Sequence, residues 1–384
     1  MGYIELLQKI EEQEDIIAIE PAKIIELLAV IGAQYQLSRI IAKKSEGIIL
    51  LVEDKELQRI VVLKIALSAM NKRPARIFHG ENPRVYGKAE KKNEDAERFK
   101  RGCIIQRYAH ENCLHEAMEF GYIPQIYKLE DTPGLYCEME FIQGETLLDW
   151  AKDQREIEKI KLFLKMIYLV EKALHDHSVI HCDLKHDNWL VLPDNRPVLL
   201  DFGIAKNKAQ KSELTRDNSP PLGSLYYAPK RQLRSPQSRS YKDDIYTMAT
   251  TLYVLWQGHP PHRHPTFMEN RLNEINLMET FPPHVLPQDM EKIFGKAVSF
   301  DSPDAYTDIA QFREEFEQVA ARWGAKEEKN IAQTVPQADD LSLAQYVDEL
   351  NKENLPELQN LFERAVWEAM EHKKILKEKY LKGK

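Results

Sequence analysis

The chain has 384 residues, 43% hydrophobic and 30% charged, with 15 glycines and 20 prolines. That balance excludes a fibre or a largely disordered chain and allows two or three folded units, or one bilobal unit with appendages. Acidic residues outnumber basic ones by 61 to 53, a formal charge of −8, so no global field draws the protein to nucleic acid or to an anionic membrane. The cysteines Cys103, Cys113, Cys137 and Cys182 form no CxxC pair and fit no zinc spacing, which implies reduced thiols.

The start, MGYIELLQKIEEQEDI, carries acids where a signal peptide needs a basic end and an apolar run, and Leu6 stands where a myristoylation motif at Gly2 wants Ser or Thr. A cytoplasmic protein without a membrane anchor is the expectation. Residues 1–24 form an N-terminal segment. From Ala22 to Ala66 the runs IIELLAVIG and IIAKKSEGIILLVEDKELQRIVVLKIA, rich in Ile and Val and broken near Lys44–Gly47 and Glu53–Glu56, predict three antiparallel strands.

Residues 71–106 carry ten Lys or Arg against five Asp or Glu, with Pro74, Gly80, Pro83 and Gly87 as breakers, and read as a basic insertion, partly loop. Tyr108 to Gly121 then reads as a helix, GLYCEMEF as a strand, and Leu147 to His175 as a helix with apolar residues recurring on one face. The shift from mostly β to mostly α near Gly144 marks a boundary between two lobes, at 25–142 and 143–324. Residues 325–384 begin as a polar linker and continue as amphipathic helices, with a capping-box start at Asn354 and Glu357. These helices are expected to pack on the chain itself or on a partner.

The chemistry concentrates in HCDLKHDNWLVLPDNRPVLLDFGIAK, residues 181–206. Asp183 is followed by Lys185 and Asn188, and a strand, a Pro-Asp-Asn-Arg-Pro turn and a second strand deliver Asp201. Phosphoryl transfer needs charge neutralisation and in-line positioning more than covalent catalysis. Asp201 and Asn188 offer hard oxygen ligands for Mg²⁺, Asp183 can orient a hydroxyl and take its proton, and Lys185 can neutralise the moving phosphate.

This segment resembles the catalytic and metal-binding loops of the eukaryotic-type protein kinase superfamily, closest to its bacterial Ser/Thr members. The resemblance runs from about residue 25 to 323. It implies an α+β, bilobal protein-kinase-like fold: a small antiparallel β lobe, a larger helical lobe, and here extra C-terminal helices. It implies ATP and Mg²⁺ as cofactors and a protein hydroxyl as acceptor. In IVVLK, Lys64 falls where the family holds the ATP α- and β-phosphates. CEMEFIQGETL resembles the hinge, which implies Met139 as gatekeeper, the backbone of Glu140 and Ile142 on the adenine edge, and Val62 and Leu190 sandwiching the base. GSLYYAPK, residues 223–230, resembles the end of the activation segment, and Asp244 in the helix beyond it would brace the catalytic loop.

Four departures accompany the likeness. IGAQYQLSRII supplies only Gly32 to a phosphate loop that should be glycine-rich. The helix glutamate expected to pair with Lys64 is assigned to Glu111, with Glu116 in reserve. Cys182 replaces an arginine that usually meets a phosphorylated activation segment, so activity should not depend on such phosphorylation in the usual way. Lys230 replaces a glutamate whose arginine partner is also absent, Ala305 or Tyr306 standing in its place. The leading reading is an active Ser/Thr protein kinase, with Thr215, Ser212 and Ser219 as candidate autophosphorylation sites. The alternatives are a nucleotide-binding pseudokinase or scaffold, and a small-molecule phosphotransferase.

Overall fold

A computed structural model describes residues 31–43, 47–66, 88–131, 135–209, 239–260, 286–299 and 302–334, with isolated positions between them. The chain divides into two units, Met1–Trp323 and Gly324–Lys384. The tail helices expected beyond Asn354, the activation-segment hydroxyls and Lys230 lie outside the described residues.

Three strands open the described chain: β1 (Tyr35–Lys43), β2 (Gly47–Asp54) and β3 (Arg59–Ala66). With β4 (Ile126–Glu130) and β5 (Tyr136–Glu140) they make an antiparallel sheet ordered β1-β2-β3-β5-β4. Side chains alternate faces along a strand. On β3, Val61, Leu63 and Ile65 therefore share a core with Leu50, Val52, Tyr136 and three residues upstream, Ile24, Leu28 and Ile31. Val62, Lys64 and Ala66 turn to the opposite side, where Ala66 and Cys137 join a second cluster with Phe99 and Cys103.

The first expected strand, IIELLAVIG, is helical at its described positions, Ile24, Leu28, Ala29 and Ile31. Its buried residues recur at i, i+4 and i+7, the spacing that lays one helix face on the sheet. The strands thus start later than expected. Gly47 opens β2 because a Cβ there would stand 2.3 Å from the Ile65 carbonyl oxygen.

A larger correction concerns the helix expected from Tyr108. It begins twenty residues earlier, within the basic insertion: residues 88–112 form one 25-residue helix, α1 (Lys88–Asn112), which closes in a π-helical turn at Cys113–Ala117. Phe99 and Cys103 pack under the sheet, whereas Ile105, Ala109, Cys113 and Ala117 belong to the core of the helical lobe. One helix therefore supplies both cores.

The helical lobe follows: β6 (Glu145–Thr146), α2 (Leu147–Lys152), α3 (Glu156–Ala173), β7 (Val179–Ile180), β8 (Trp189–Val191), β9 (Pro197–Leu199), β10 (Lys206–Asn207), α4 (Tyr241–Gln257), α5 (Gln288–Val298) and α6 (Ile309–Thr334). Its core joins Phe163, Met166 and Val170 of α3 to Met248, Leu252 and Tyr253 of α4 and to Phe312 and Phe316 of α6. Ser240 and Asp243 form a capping box that fixes the start of α4. Among the described residues no helix is long and apolar enough to cross a membrane.

Candidate active site

The turn predicted at Pro193–Pro197 folds β8 back on β9, pairing Trp189 with Leu199 and Leu190 with Val198. This hairpin brings the two expected metal ligands together, since the Leu200 N–H donates to the Asn188 carbonyl at 2.9 Å and Asp201 is the next residue. Asn188 is fully buried, and its amide donates to the Asp183 backbone carbonyl at 2.8 Å and to Asp183 Oδ2 at 3.2 Å. Lys185 Nζ lies 3.5 Å from the same carboxylate oxygen. Asp183 Oδ1 is buried with no hydrogen-bond partner among the described residues. Buried acceptors are rarely left so, and this one, beside Lys185 and Asn188, suits an incoming hydroxyl donor.

The loop before Asp183 is held from beneath. Asp244 of α4 is fully buried and accepts the N–H groups of His181 and Cys182, at 2.9 and 2.7 Å, and meets His175 Nε2 at 2.9 Å. Cys182 has φ +68°, a left-handed conformation that side-chain-bearing residues seldom adopt, so these bonds stabilise a strained backbone. Asp201 has φ +64°, and strain of the same kind turns its carboxylate toward the sheet. There Lys64 Nζ meets Asp201 Oδ1 at 2.7 Å, both side chains nearly buried. His181 stacks edge-on against Phe202 at 4.7 Å, and burial holds its imidazole below its ordinary pKa.

Lys64, Asp183, Lys185, Asn188 and Asp201 are thus linked through contacts within this structure. Glu111 is not among them. It is exposed on α1, two helical turns or ~12 Å along the axis beyond Cys103. The side chains that α1 turns toward Lys64 are instead Phe99, whose ring centroid lies 5.9 Å from Nζ, and Cys103. Glu116 is also exposed, 3.2 Å from His177 Nε2. Both expectations rest on a helix start some twenty residues too late, about five turns of α-helix.

Gly32 is also misplaced. Its carbonyl accepts the Tyr35 N–H at the head of β1, beside the turn that joins β2 to β3. The nine-residue length of β1, ~30 Å, separates it from the β1–β2 connection, residues 44–46, which lies outside the described residues. The end of the sheet where Gly47 pairs with Ala66, two residues past Lys64, is therefore not the end that holds Gly32.

Around the expected base site, Val62 is buried and pairs with Met139 across β3 and β5, and Leu190 is half-buried on β8. The Glu140 N–H is committed to the Gln125 carbonyl at 2.9 Å, and its carboxylate accepts the Tyr122 hydroxyl at 2.7 Å. The Glu140 N–H is therefore not open to a ligand. Ile142 is half-buried just beyond β5.

Sequence reasoning missed Gly102 and Arg239, and the placing of Cys103 beneath the sheet. Gly102 lets α1 run against the Phe202–Gly203 backbone, since a Cβ would stand 2.8 Å from the Phe202 carbonyl oxygen. The Gly102→Ala protein should melt below wild type despite a gain in helix propensity of about 1 kcal/mol, because the new Cβ would force the Phe202 backbone to shift; a melting curve checks this, and a higher melting temperature would contradict it. Arg239, nearly buried, places Nη1 3.6 Å from Cys182 Sγ and donates to the Ile204 carbonyl. A guanidinium therefore stands beside Cys182, supplied from fifty-seven residues away. Burial, followed by the Arg239 charge, holds Arg101 and Lys206 below their ordinary pKa values. At the site of the absent arginine, the Tyr306 hydroxyl donates to Glu315 at 2.9 Å, and Lys296 pairs with the same carboxylate. Only Cys103 had a local signal, its place one turn after Phe99.

The sequence pattern of the protein kinase domain matches residues 79–317, more than half of the chain. The chain belongs to the protein kinase family. Among known proteins the kinase chain is similar to a probable serine/threonine-protein kinase PknB of Lactococcus lactis, 29% identical over 184 residues that cover 46% of this chain and 28% of that protein. It is similar to the serine/threonine-protein kinase PKH3 of Eremothecium gossypii, at 31% over 177 residues, 44% of this chain and 24% of that one. It also resembles the serine/threonine-protein kinase PknD of Chlamydia abortus, at 26% over 229 residues, 52% of this kinase and 24% of that one. The chain thus spans about a quarter of the length of these curated relatives. The matched pattern begins after β3, so Lys64 is placed by geometry alone.

Proposed function

We propose that this protein is a serine/threonine protein kinase that transfers the γ-phosphate of ATP to a protein hydroxyl, with Asp183 as the base. The observation that carries this reading is the buried, unpartnered Asp183 Oδ1 within a carboxylate whose other oxygen is held by Asn188 and Lys185. One oxygen is oriented while the other waits for a donor, the arrangement a general base requires.

The residues present suit Mg²⁺. Asn188 and Asp201 are a carboxamide and a carboxylate joined by one hairpin. Such an open set of hard oxygens leaves coordination positions for phosphate oxygens. When bound there, Mg²⁺ would supply charge neutralisation to the phosphates. Lys64, carried on β3 and fixed by its β5 neighbour Cys137, would hold the α- and β-phosphates once Asp201 turns to the metal. Lys185 would lower the charge on the moving group, and Asp183 would orient the acceptor hydroxyl and take its proton. The names of the relatives, together with Lys185 two residues after Asp183 and Gly223-Ser224 near the segment's end, support an aliphatic rather than a phenolic acceptor.

A second reading, nucleotide binding without transfer, draws on the β1–β2 connection. Lys43-Lys44-Ser45-Glu46-Gly47 contains a single glycine and an acid where phosphates would approach. Incubation with Mg²⁺ and γ-labelled ATP plus a basic protein substrate, followed by phosphoamino-acid analysis, separates the two. Phosphoserine or phosphothreonine is the expected product. A thermal shift with ATP but no transfer would favour the second reading.

A further inference from the structure

Cys182, the residue before Asp183, is gripped from three directions. Its N–H donates to Asp244 Oδ1 at 2.7 Å, and its thiol stands 3.6 Å from Arg239 Nη1. The third hold is on its carbonyl. Gln232, fully buried, donates its side-chain amide to the Cys182 carbonyl at 2.7 Å. Phosphoryl transfer as derived above makes no use of Gln232.

The residues around Gln232 set that amide in place. Arg231 and Gln232 are helical, and the Gln232 N–H donates to the Pro229 carbonyl at 3.0 Å, closing a tight turn. Arg231 donates to Ser240 Oγ at 2.5 Å and to the fully buried Asp243 at 2.8 Å, which ties this turn to the start of α4. A few residues earlier, the Tyr227 hydroxyl meets His186 Nδ1 at 2.5 Å. Residues 227–232 thus hold the catalytic loop at two points, Cys182 and His186, one on either side of Asp183 and Lys185.

Holding the Cys182 carbonyl has a direct geometric result. A peptide unit is planar, so this carbonyl, the Asp183 N–H and the Asp183 Cα lie in one plane. The N–H of that unit points to His181 Nδ1 at 3.3 Å. With its oxygen on Gln232 and its N–H on His181, the unit is fixed against rotation, and its orientation sets the direction in which Asp183 carries its carboxylate. The left-handed backbone of Cys182, at φ +68°, persists only where the surroundings hold it in this way.

We propose that Gln232 is a positioning residue for the catalytic base: through the Cys182 carbonyl it sets the peptide plane from which Asp183 reaches the acceptor hydroxyl. The effect on catalysis rests on the kinase reading. An amide suits the task because it donates without a charge, whereas an ammonium or a guanidinium would be drawn to the carboxylates of Asp183 and Asp244 on either side of this peptide unit.

The test uses the full chain and a pair of backgrounds. Gln232→Leu nearly keeps the volume and removes the donor. Its kcat should fall about 10- to 10²-fold with KM for ATP unaltered, because a base displaced by up to ~1 Å slows the chemical step. The melting temperature should fall as well, since a buried carbonyl loses a bond, so the single variant alone does not separate positioning from support. The Asp183→Ala background does. There Gln232→Leu should leave the residual rate as it is, the base being absent, and still lower the melting temperature. Equal fold losses of rate in both backgrounds would make Gln232 a structural residue only, and an unimpaired kcat in the single variant would overturn its role outright. Gln232→Asn, which keeps the amide but is one methylene short of the carbonyl, carries the same comparisons if Gln232→Leu does not fold.

Deuterium uptake across residues 180–186, followed by mass spectrometry, reads the grip without any activity. Faster uptake in Gln232→Leu than in wild type is the expected result, and equal uptake would mean that the loop is held without Gln232 and overturn the assignment. Wild-type protein that never transfers phosphate would count against the kinase reading, and the uptake comparison would still decide whether Gln232 holds the loop.

Discussion

Asp183→Ala protein should transfer phosphate ~10²- to 10⁴-fold more slowly than wild type and melt at the same temperature or higher. The rate effect follows from loss of the buried Asp183 Oδ1, which has no partner among the described residues and would receive the acceptor hydroxyl. The stability effect has a separate cause. Removing the side chain deletes a desolvated acceptor, and the Asn188 amide keeps its 2.8 Å bond to the Asp183 backbone carbonyl, so the loop retains its internal tie. Initial rates with saturating ATP and a melting curve are sufficient. A wild-type rate would remove Asp183 from the mechanism, and a collapsed melting temperature would make its role structural.

Asp244→Ala should destabilise the fold far more than Asp183→Ala or Gly102→Ala. Three buried donors lose their acceptor at once: the N–H groups of His181 and Cys182, and His175. Each unsatisfied buried group costs about 1–3 kcal/mol, so the sum is a sizeable share of the ~5–15 kcal/mol that keeps a typical protein folded. The left-handed backbone at Cys182 would also lose the bonds that hold it, and Asp183 is the next residue. Denaturant unfolding should therefore show an earlier midpoint with an unaltered slope, and transfer should fall even where the protein remains folded. A midpoint equal to wild type would mean that water or neighbouring groups replace the carboxylate. Asp244→Asn, which keeps one acceptor oxygen, should fall between the two.

The catalytic loop is readable from sequence because its geometry is local. The Pro-Asp-Asn-Arg-Pro turn and flanking apolar triplets dictate a hairpin, and the hairpin alone brings Asn188 and Asp201 together. Lys64 is readable for a similar reason, being the one polar residue of β3 after Arg59 opens it. The helix α1 is hidden. Its buried residues face one core at Phe99 and Cys103 and another at Ala109 and Cys113, so no single stripe repeats along its length, and basic residues occupy the remainder. Misreading that helix puts the expected partner of Lys64 at exposed Glu111. Gly32 misleads because a lone glycine is matched to a loop, whereas the strand Tyr35–Lys43, with Tyr35, Leu37 and Ile40 buried, carries the chain past it. The contact between Arg239 and Cys182 spans fifty-seven residues and has no local signature.

The shared membership of α1 in both cores has a thermodynamic corollary. Two lobes joined by a flexible hinge would melt in two steps, the thinner one first. Here the sheet cannot release Phe99 and Cys103 without disturbing the helix that also anchors Ile105, Ala109 and Cys113 in the other lobe. Heat absorption by the residues up to Trp323 should accordingly concentrate in one calorimetric peak whose van't Hoff and calorimetric enthalpies agree.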